Sequence, residues 1–142
     1  MYVRRIVDDE IDRLVRGGSA AIAIEGAKAV GKTATGSQRV RIAYLLEQSV
    51  TRQLLQADPS RINSGEPVLI DEWQHLPETW DVVRRVVDAG AVPGQFFLTG
   101  SASALHPGTH SGAGRIVSVR MRPMSLYERG VGAPTVSLEA LL

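Results

Sequence analysis

The sequence contains no cysteine, and this absence removes several classes of protein at once. A disulfide framework, a thiolate metal site and a cysteine nucleophile are all excluded. No apolar run approaches about 18 residues, so we expect no segment that spans a membrane. The chain starts Met-Tyr-Val-Arg-Arg, without the apolar core of a signal peptide, which predicts a cytoplasmic protein.

Lysine is also scarce, because only Lys28 and Lys32 contribute to the 16 basic residues and the others are arginines. The formal net charge of +1 provides no argument from charge alone for a nucleic-acid or membrane partner. A length of 142 residues suits one domain, predicted over residues 1–142. The two lysines fall in the same short stretch, which is the most informative part of the chain.

That stretch runs from Gly26 to Thr33 and has the form Gly-x-x-x-x-Gly-Lys-Thr after an apolar run at residues 20–25. Two glycines at this spacing let the backbone curl around a polyphosphate, so that successive N–H groups point inward. Lys32 would reach the β- and γ-phosphates, and Thr33 would bind Mg²⁺. The alternative is a glycine-rich turn before an ordinary helix. The predicted phosphate-binding residues are Gly26, Ala27, Lys28, Ala29, Val30, Gly31, Lys32 and Thr33.

A second apolar run, at residues 67–70, ends in the adjacent carboxylates Asp71 and Glu72. A buried strand of a parallel sheet delivers such acids to the edge where ligands bind. Asp71 is therefore predicted to hold Mg²⁺ together with Thr33, because this ion prefers oxygen ligands. Glu72 is predicted to orient or deprotonate the water that attacks the γ-phosphate of ATP. A simple strand terminus is the alternative interpretation of this acidic pair.

Three further residues are candidates for the same chemistry. Thr99 and Ser101 follow the apolar run at residues 96–98, where they could hydrogen-bond the attacking water or the γ-phosphate, or merely form a turn. Arg115 is a candidate for stabilising the transition-state charge, in its own subunit or in a neighbour's, with a surface arginine as the alternative.

Hydrophobic periodicity predicts an α/β fold with strands alternating with helices, and hence a parallel sheet. Residues 40–46 fit a strand or a helix, and their Val, Ile and Tyr content favours a strand. Residues 122–128 are predicted to begin a helix. The other predicted helices cover residues 5–16, 50–57 and 77–89, and the other strands cover residues 20–25, 67–70, 96–98 and 116–119.

Together these motifs resemble the bacterial and archaeal AAA-type P-loop ATPases whose N-terminal AAA domain is usually followed by a DUF4143 domain. The resemblance rests on five segments: Gly26 to Thr33 as Walker A, Val68 to Gln74 as Walker B, Leu98 to Ser101 as the sensor-1 strand, Gly114-Arg115, and Arg122 to Glu128.

The resemblance implies a P-loop NTPase three-layer sandwich of about five strands, in which the sensor strand lies between the Walker A and Walker B strands. It also implies that residues 2–5 lie near the nucleotide base. Proteins of this family continue well beyond the segment ending at Glu128. The chain is therefore expected to lack the helical lid, the second sensor arginine and the C-terminal domain.

The leading hypothesis is an ATP-binding AAA-type domain with Mg²⁺-dependent, weak or conditional ATP hydrolysis. The alternative is a truncated, non-catalytic module that binds nucleotide or a protein or DNA partner. A small-molecule kinase stays open, whereas a GTPase is disfavoured because the sole asparagine, Asn63, is followed by Ser64 rather than lysine. The partner and the oligomeric state are left undetermined.

Overall fold

A computed structural model describes residues 1–101, 115–131 and 139. Gly114 lies outside this described part. The helices are α1 (Ile6–Arg16), α2 (Lys32–Ser37), α3 (Ser49–Ala57) and α4 (Glu78–Asp88), with short 3-10 helices at Pro59–Ile62 and Trp73–His75. The strands are β1 (Ala21–Glu25), β2 (Ile42–Leu45), β3 (Val68–Asp71), β4 (Phe96–Gly100) and β5 (Ile116–Arg120).

The five strands form one sheet in the order β2-β3-β4-β1-β5, and every pairing is parallel. This arrangement confirms the predicted α/β class and the strand at residues 40–46. It also places β4 between β1 and β3, as the resemblance implied. Because all strands run in the same direction, their carboxyl ends meet at a single edge of the sheet.

Alternate residues of the strands enter two separate cores, one on each face of the sheet. Ile22, Leu69 and Phe97 pack with α1 on one face. Ala23, Ile70 and Leu98 pack with α3 and α4 on the other face. The sheet is thus covered on both sides, which explains why β1, β3 and β4 are buried along their whole length. This is the predicted three-layer sandwich.

Helix α2 is short and packs closely on the sheet. A Cβ atom at Gly36 would lie 2.7 Å from Leu69 Cδ1, so the glycine in this helix permits the close approach to β3. Gly36 thus has a packing function within α2.

The predicted helix at residues 122–128 is absent, and a single turn is present instead. The Arg129 N–H donates to the Ser125 carbonyl at 3.1 Å, but Gly130 then adopts a positive φ of 66° and ends the turn. Within the described ranges, none of the helices is long and apolar enough to cross a membrane.

Candidate nucleotide-binding site

The loop between β1 and α2 is shaped by close contacts and by two residues with positive φ. A Cβ atom at Gly26 would lie 2.3 Å from the carbonyl oxygen of Met121, so no larger residue fits there without a backbone shift. Ala29 has a φ of 64°, and Gly31, which precedes α2, has a φ of 104°. Ala29 is a non-glycine residue in the left-handed region, and such strained positions concentrate at functional sites.

Lys32 is buried, and its ammonium group crosses the loop. Its Nζ donates to the carbonyl oxygens of Gly26 at 3.0 Å and of Ala27 at 2.8 Å. By contrast, within the described part of the chain the backbone N–H groups of residues 27–29 and of Gly31 donate to no protein acceptor. A loop with a buried lysine and several free N–H groups fits an anion such as a polyphosphate.

The side chain of Asp71, at the carboxyl end of β3, joins the loop to β4. Its Oδ1 accepts hydrogen bonds from Thr33 Oγ1 at 2.5 Å and from Thr99 Oγ1 at 2.7 Å. Thr99 Oγ1 in turn accepts from the backbone N–H of Glu72 at 2.9 Å. The structure therefore brings four of the predicted site residues together. Hydroxyl and carboxylate oxygens are ligands that suit Mg²⁺, so Thr33 and Asp71 fit such an ion.

Glu72 has an unusual backbone conformation, with a φ of 57° and a ψ of 54°. This left-handed turn directly follows β3 and costs free energy in a non-glycine residue. The Glu72 carboxylate accepts a hydrogen bond from Gln74 Nε2. Gly100 permits this arrangement, because a Cβ atom there would lie 2.7 Å from Trp73 Nε1.

A polar cavity of about 230 Å³ adjoins the Glu72 side chain. Ser101 lines this cavity together with Glu72, whereas Thr99 donates to Asp71. The cavity is lined by Lys28, Glu47, Glu72, Gln74, His75 and Ser101. The two residues predicted from the end of β4 thus lie in different parts of the site.

Arg115 lies at the opposite edge of the sheet from the loop. Strand β5 runs parallel to β1 with Ile116 opposite Ala21 and Arg120 opposite Glu25. The loop follows Glu25, whereas Arg115 precedes Ile116. At about 3.3 Å per residue, roughly 17 Å of strand separates the two ends. The geometry therefore does not support a role for Arg115 at the phosphates of its own subunit.

Arg115 instead pairs with Asp88 at the end of α4. Arg84 and Asp88 lie four residues apart in that helix, a spacing that permits a local ion pair. In the structure Arg84 pairs with Asp81 at 3.2 Å, three residues before it. The tertiary contact between α4 and β5 thus replaces the local pairing.

Sequence reasoning missed Arg5, a buried arginine next to the loop. Its Nη1 donates to the carbonyl oxygen of Val30 at 2.9 Å, and its Nε donates to Glu128 Oε1 at 3.0 Å. The segment at residues 122–128 was predicted to begin a helix and contributed to a resemblance, but neither prediction gave a role to Glu128. No periodicity identifies this pair, since its members lie 123 positions apart.

A second polar network ties α1 to the helix after the loop. Asp8, which is buried, accepts from Tyr2 Oη at 2.6 Å and from Arg39 Nη1 at 2.7 Å. Burial alone would raise the pKa of Asp8, but the hydrogen bonds from Tyr2, the Arg5 N–H and Arg39 lower the pKa overall. Asp8 therefore remains a carboxylate that joins the N-terminal segment to Arg39, which follows α2.

The N-terminal segment and the loop line an open groove of about 770 Å³. Tyr2 and Val3 line one part of it, and Pro123, Met124 and Arg129 line another. Residues 2–5 thus lie beside the loop, and their predicted position near a nucleotide base stays a prediction.

The parallel sheet and the loop at the carboxyl end of β1 define a fold of the P-loop NTPase type. A family model described as an AAA domain matches residues 18–129, and the chain belongs to that family. Membership indicates a nucleotide-binding, ATPase-type protein. No curated protein matches the chain.

Proposed function

We propose that the chain binds ATP, with the phosphates held by the loop from Gly26 to Thr33. Support comes from the buried Lys32, which donates to the loop carbonyls at 2.8 and 3.0 Å, and from the free N–H groups of residues 27–29 and of Gly31. A phosphate oxygen is a stronger acceptor for an ammonium group than a carbonyl oxygen. Lys32 would therefore exchange these loop contacts for the β- and γ-phosphates.

Thr33 and Asp71 would hold Mg²⁺, with the ion supplying neutralisation of the charge on the phosphates. The observation that carries the proposal is the convergence of Thr33 Oγ1 and Thr99 Oγ1 on one oxygen of Asp71. Through these contacts the loop, the acid at the end of β3 and the polar end of β4 lie within hydrogen-bonding distance of one another. It is the geometry expected of a phosphoryl-transfer site, where positioning provides most of the catalysis.

We propose further that Glu72 activates water for hydrolysis. The Glu72 N–H donates to Thr99 Oγ1 at 2.9 Å, so the strand that contributes Thr99 also positions the backbone of this general base. Its carboxylate borders the polar cavity that contains Ser101 and Lys28. A water in this cavity would have the acceptor that general-base catalysis requires.

The groove beside the loop would receive the nucleoside. Tyr2 and Val3 on one side and Met124 on the other offer apolar surface, and Arg129 offers a charged group. A volume of about 770 Å³ lies within the range of small-molecule sites. We extend the proposal to a single nucleotide-binding domain over residues 1–142, and the DUF4143 association stays a prediction.

The test measures nucleotide binding and phosphate release by the purified chain and by two variants. Lys32→Ala is expected to lose nucleotide binding, because the remaining loop lacks its ammonium group. Glu72→Gln is expected to bind ATP but to release phosphate at least about a hundredfold more slowly, the scale of general-base catalysis. A wild-type chain that does not bind ATP at millimolar concentration would overturn the proposal.

A non-catalytic nucleotide-binding or interaction module is the second candidate. The hydrogen bond from Gln74 to the Glu72 carboxylate favours it, because this contact occupies the acceptor that would take the proton from water. The position of Arg115, at the edge of the sheet opposite the loop, also favours the non-catalytic module. Action of Arg115 on a neighbouring subunit stays a prediction. Phosphate release that depends on Glu72 would exclude this candidate.

A further inference from the structure

Arg5 connects three segments that are distant in the sequence. The residue immediately precedes α1 and is only 6% exposed. Its guanidinium donates to the carbonyl oxygens of Val30 and Arg122, both at 2.9 Å, and to the carboxylate of Glu128 at 3.0 Å. A planar group with donors in a fixed fork can satisfy three acceptors at once, whereas lysine offers only a point charge.

The contact with Val30 determines how one peptide unit of the loop is oriented. The carbonyl of Val30 and the N–H of Gly31 belong to the same planar, trans peptide and therefore point in opposite directions. Because the carbonyl points at Arg5 Nη1, the Gly31 N–H points away from Arg5. The guanidinium also packs tightly, since a Cβ atom at Gly31 would lie 3.2 Å from the same nitrogen.

Glu128 holds Arg5 in this position. Its Oε1 accepts from Arg5 Nε and from the Ile6 N–H at 2.8 Å, and its Oε2 accepts from the Ser125 N–H at 2.7 Å and from Ser125 Oγ at 2.9 Å. These contacts, the Ser125 N–H first among them, lower the pKa of Glu128 to about 2. The side chain is therefore a carboxylate at neutral pH with its acceptor positions occupied.

We propose that Arg5 is a positioning residue that orients the Val30–Gly31 peptide toward the nucleotide phosphates, and that Glu128 fixes Arg5 for this purpose. The proposal rests on the proposed nucleotide binding. It assigns a role to the turn at residues 122–131. Through Glu128 and Arg5 this turn shapes the loop, although Glu128 itself does not contact the phosphates. By thermodynamic reciprocity, a bound nucleotide must strengthen the contact between Arg5 and Glu128.

The first experiment titrates a fluorescent ADP analogue into the wild type and into Arg5→Lys, Glu128→Gln and Arg4→Lys. Arg4 is the matched control, because it is adjacent in sequence but 60% exposed and paired with Asp9 and Asp12 at the surface. Arg5→Lys and Glu128→Gln are expected to bind roughly tenfold more weakly, the scale of a charge-assisted hydrogen bond. Arg4→Lys is expected to bind like the wild type.

A merely structural role would lower the unfolding midpoint but leave the affinity of the folded fraction unchanged. Each variant is therefore titrated at a temperature where circular dichroism shows it folded. Wild-type affinity in folded Arg5→Lys and Glu128→Gln would overturn the proposal while leaving the proposed function intact. A wild type that binds no nucleotide would overturn both.

The second experiment needs no variant and keeps the proposal testable if substitutions prevent folding. Amide hydrogen exchange is followed at Ile6 and Ser125, whose N–H groups both donate to Glu128, with and without saturating Mg-ADP. Exchange at both amides is expected to slow several-fold more than at Asn63, whose N–H donates to Ser60 in a turn after α3. Equal slowing at all three amides would contradict the proposed coupling.

Discussion

Two arginine–carboxylate pairs lie at opposite edges of the sheet, and they differ in burial. The Arg5–Glu128 pair beside the loop has side chains only 6% and 7% exposed. The Arg115–Asp88 pair at the other edge has side chains 44% and 49% exposed. Both pairs join distant segments, but only the first is removed from water. The comparison shows that an arginine's position in the fold, rather than its proximity to a sequence motif, determines whether its ion pair is buried.

Breaking the buried pair should have the largest effect. Arg5→Met keeps most of the apolar stem but leaves the Glu128 carboxylate buried without its counter-charge. We expect the free energy of unfolding to fall by about 3 kcal/mol, at the lower end for such a loss because backbone N–H groups still donate to Glu128. Urea denaturation measures this change.

The control for this prediction is the double variant Arg5→Met/Glu128→Met. It removes both charges and should regain part of the lost stability, because no unpaired charge is then buried. If the two variants were equally destabilised, packing rather than charge would be the cause.

A change of pH should alter the contribution of Glu128 to the unfolding free energy, and this effect should be smaller. The pKa of Glu128 is about 2 in the folded chain, below the ordinary value of 4.5. A lowered folded-state pKa contributes stability that is fully present above the ordinary value and is lost as the pH falls toward the folded value. The wild type should therefore exceed Glu128→Gln in unfolding free energy by about 1 kcal/mol at neutral pH.

This difference should shrink as the pH falls from 4.5 toward 2. Urea denaturation of both proteins at neutral pH, pH 4 and pH 3 provides the measurement. Other carboxylates titrate in the same range, so the difference between the two proteins, and not the wild-type curve, is the quantity to compare. A constant difference across this range would contradict the assignment to Glu128.

Breaking the exposed pair should have the smallest effect. Arg115→Gln removes a surface ion pair with Asp88, and such pairs contribute about 0–1 kcal/mol. We expect a change in unfolding free energy of less than about 0.5 kcal/mol, and an unchanged affinity for nucleotide in a monomeric preparation. A large loss of affinity there would show that Arg115 reaches a nucleotide after all.

Most of the fold could be predicted from local sequence patterns. The apolar run before Gly26 and the run before Asp71 each became a buried strand, because runs without alternation suit strands covered on both faces. The segment at residues 122–128 could not be predicted in this way. Its helical pattern ends after a single turn, because Gly130 adopts a left-handed conformation and Glu128 turns to Arg5 and Ser125.

The candidate site shows the same division. Thr33 was predicted from the loop motif and Asp71 and Thr99 from two separate strand ends, and the parallel sheet brings the three residues together. Arg115 was predicted from its place in the chain, but strand register carries it to the opposite edge. Register depends on pairing between distant strands, which no local pattern records.

The sequence by itself determined the phosphate loop, the acidic end of β3 and the α/β class, because each depends on short-range spacing and periodicity. Only the tertiary structure decided which charged groups became buried partners. Arg5 and Glu128 lie far apart along the chain, and their contact exists because β5 pairs with β1 and delivers the following turn to the loop. Because that pair is buried, breaking it should change the unfolding free energy more than breaking the exposed pair of Arg115 and Asp88.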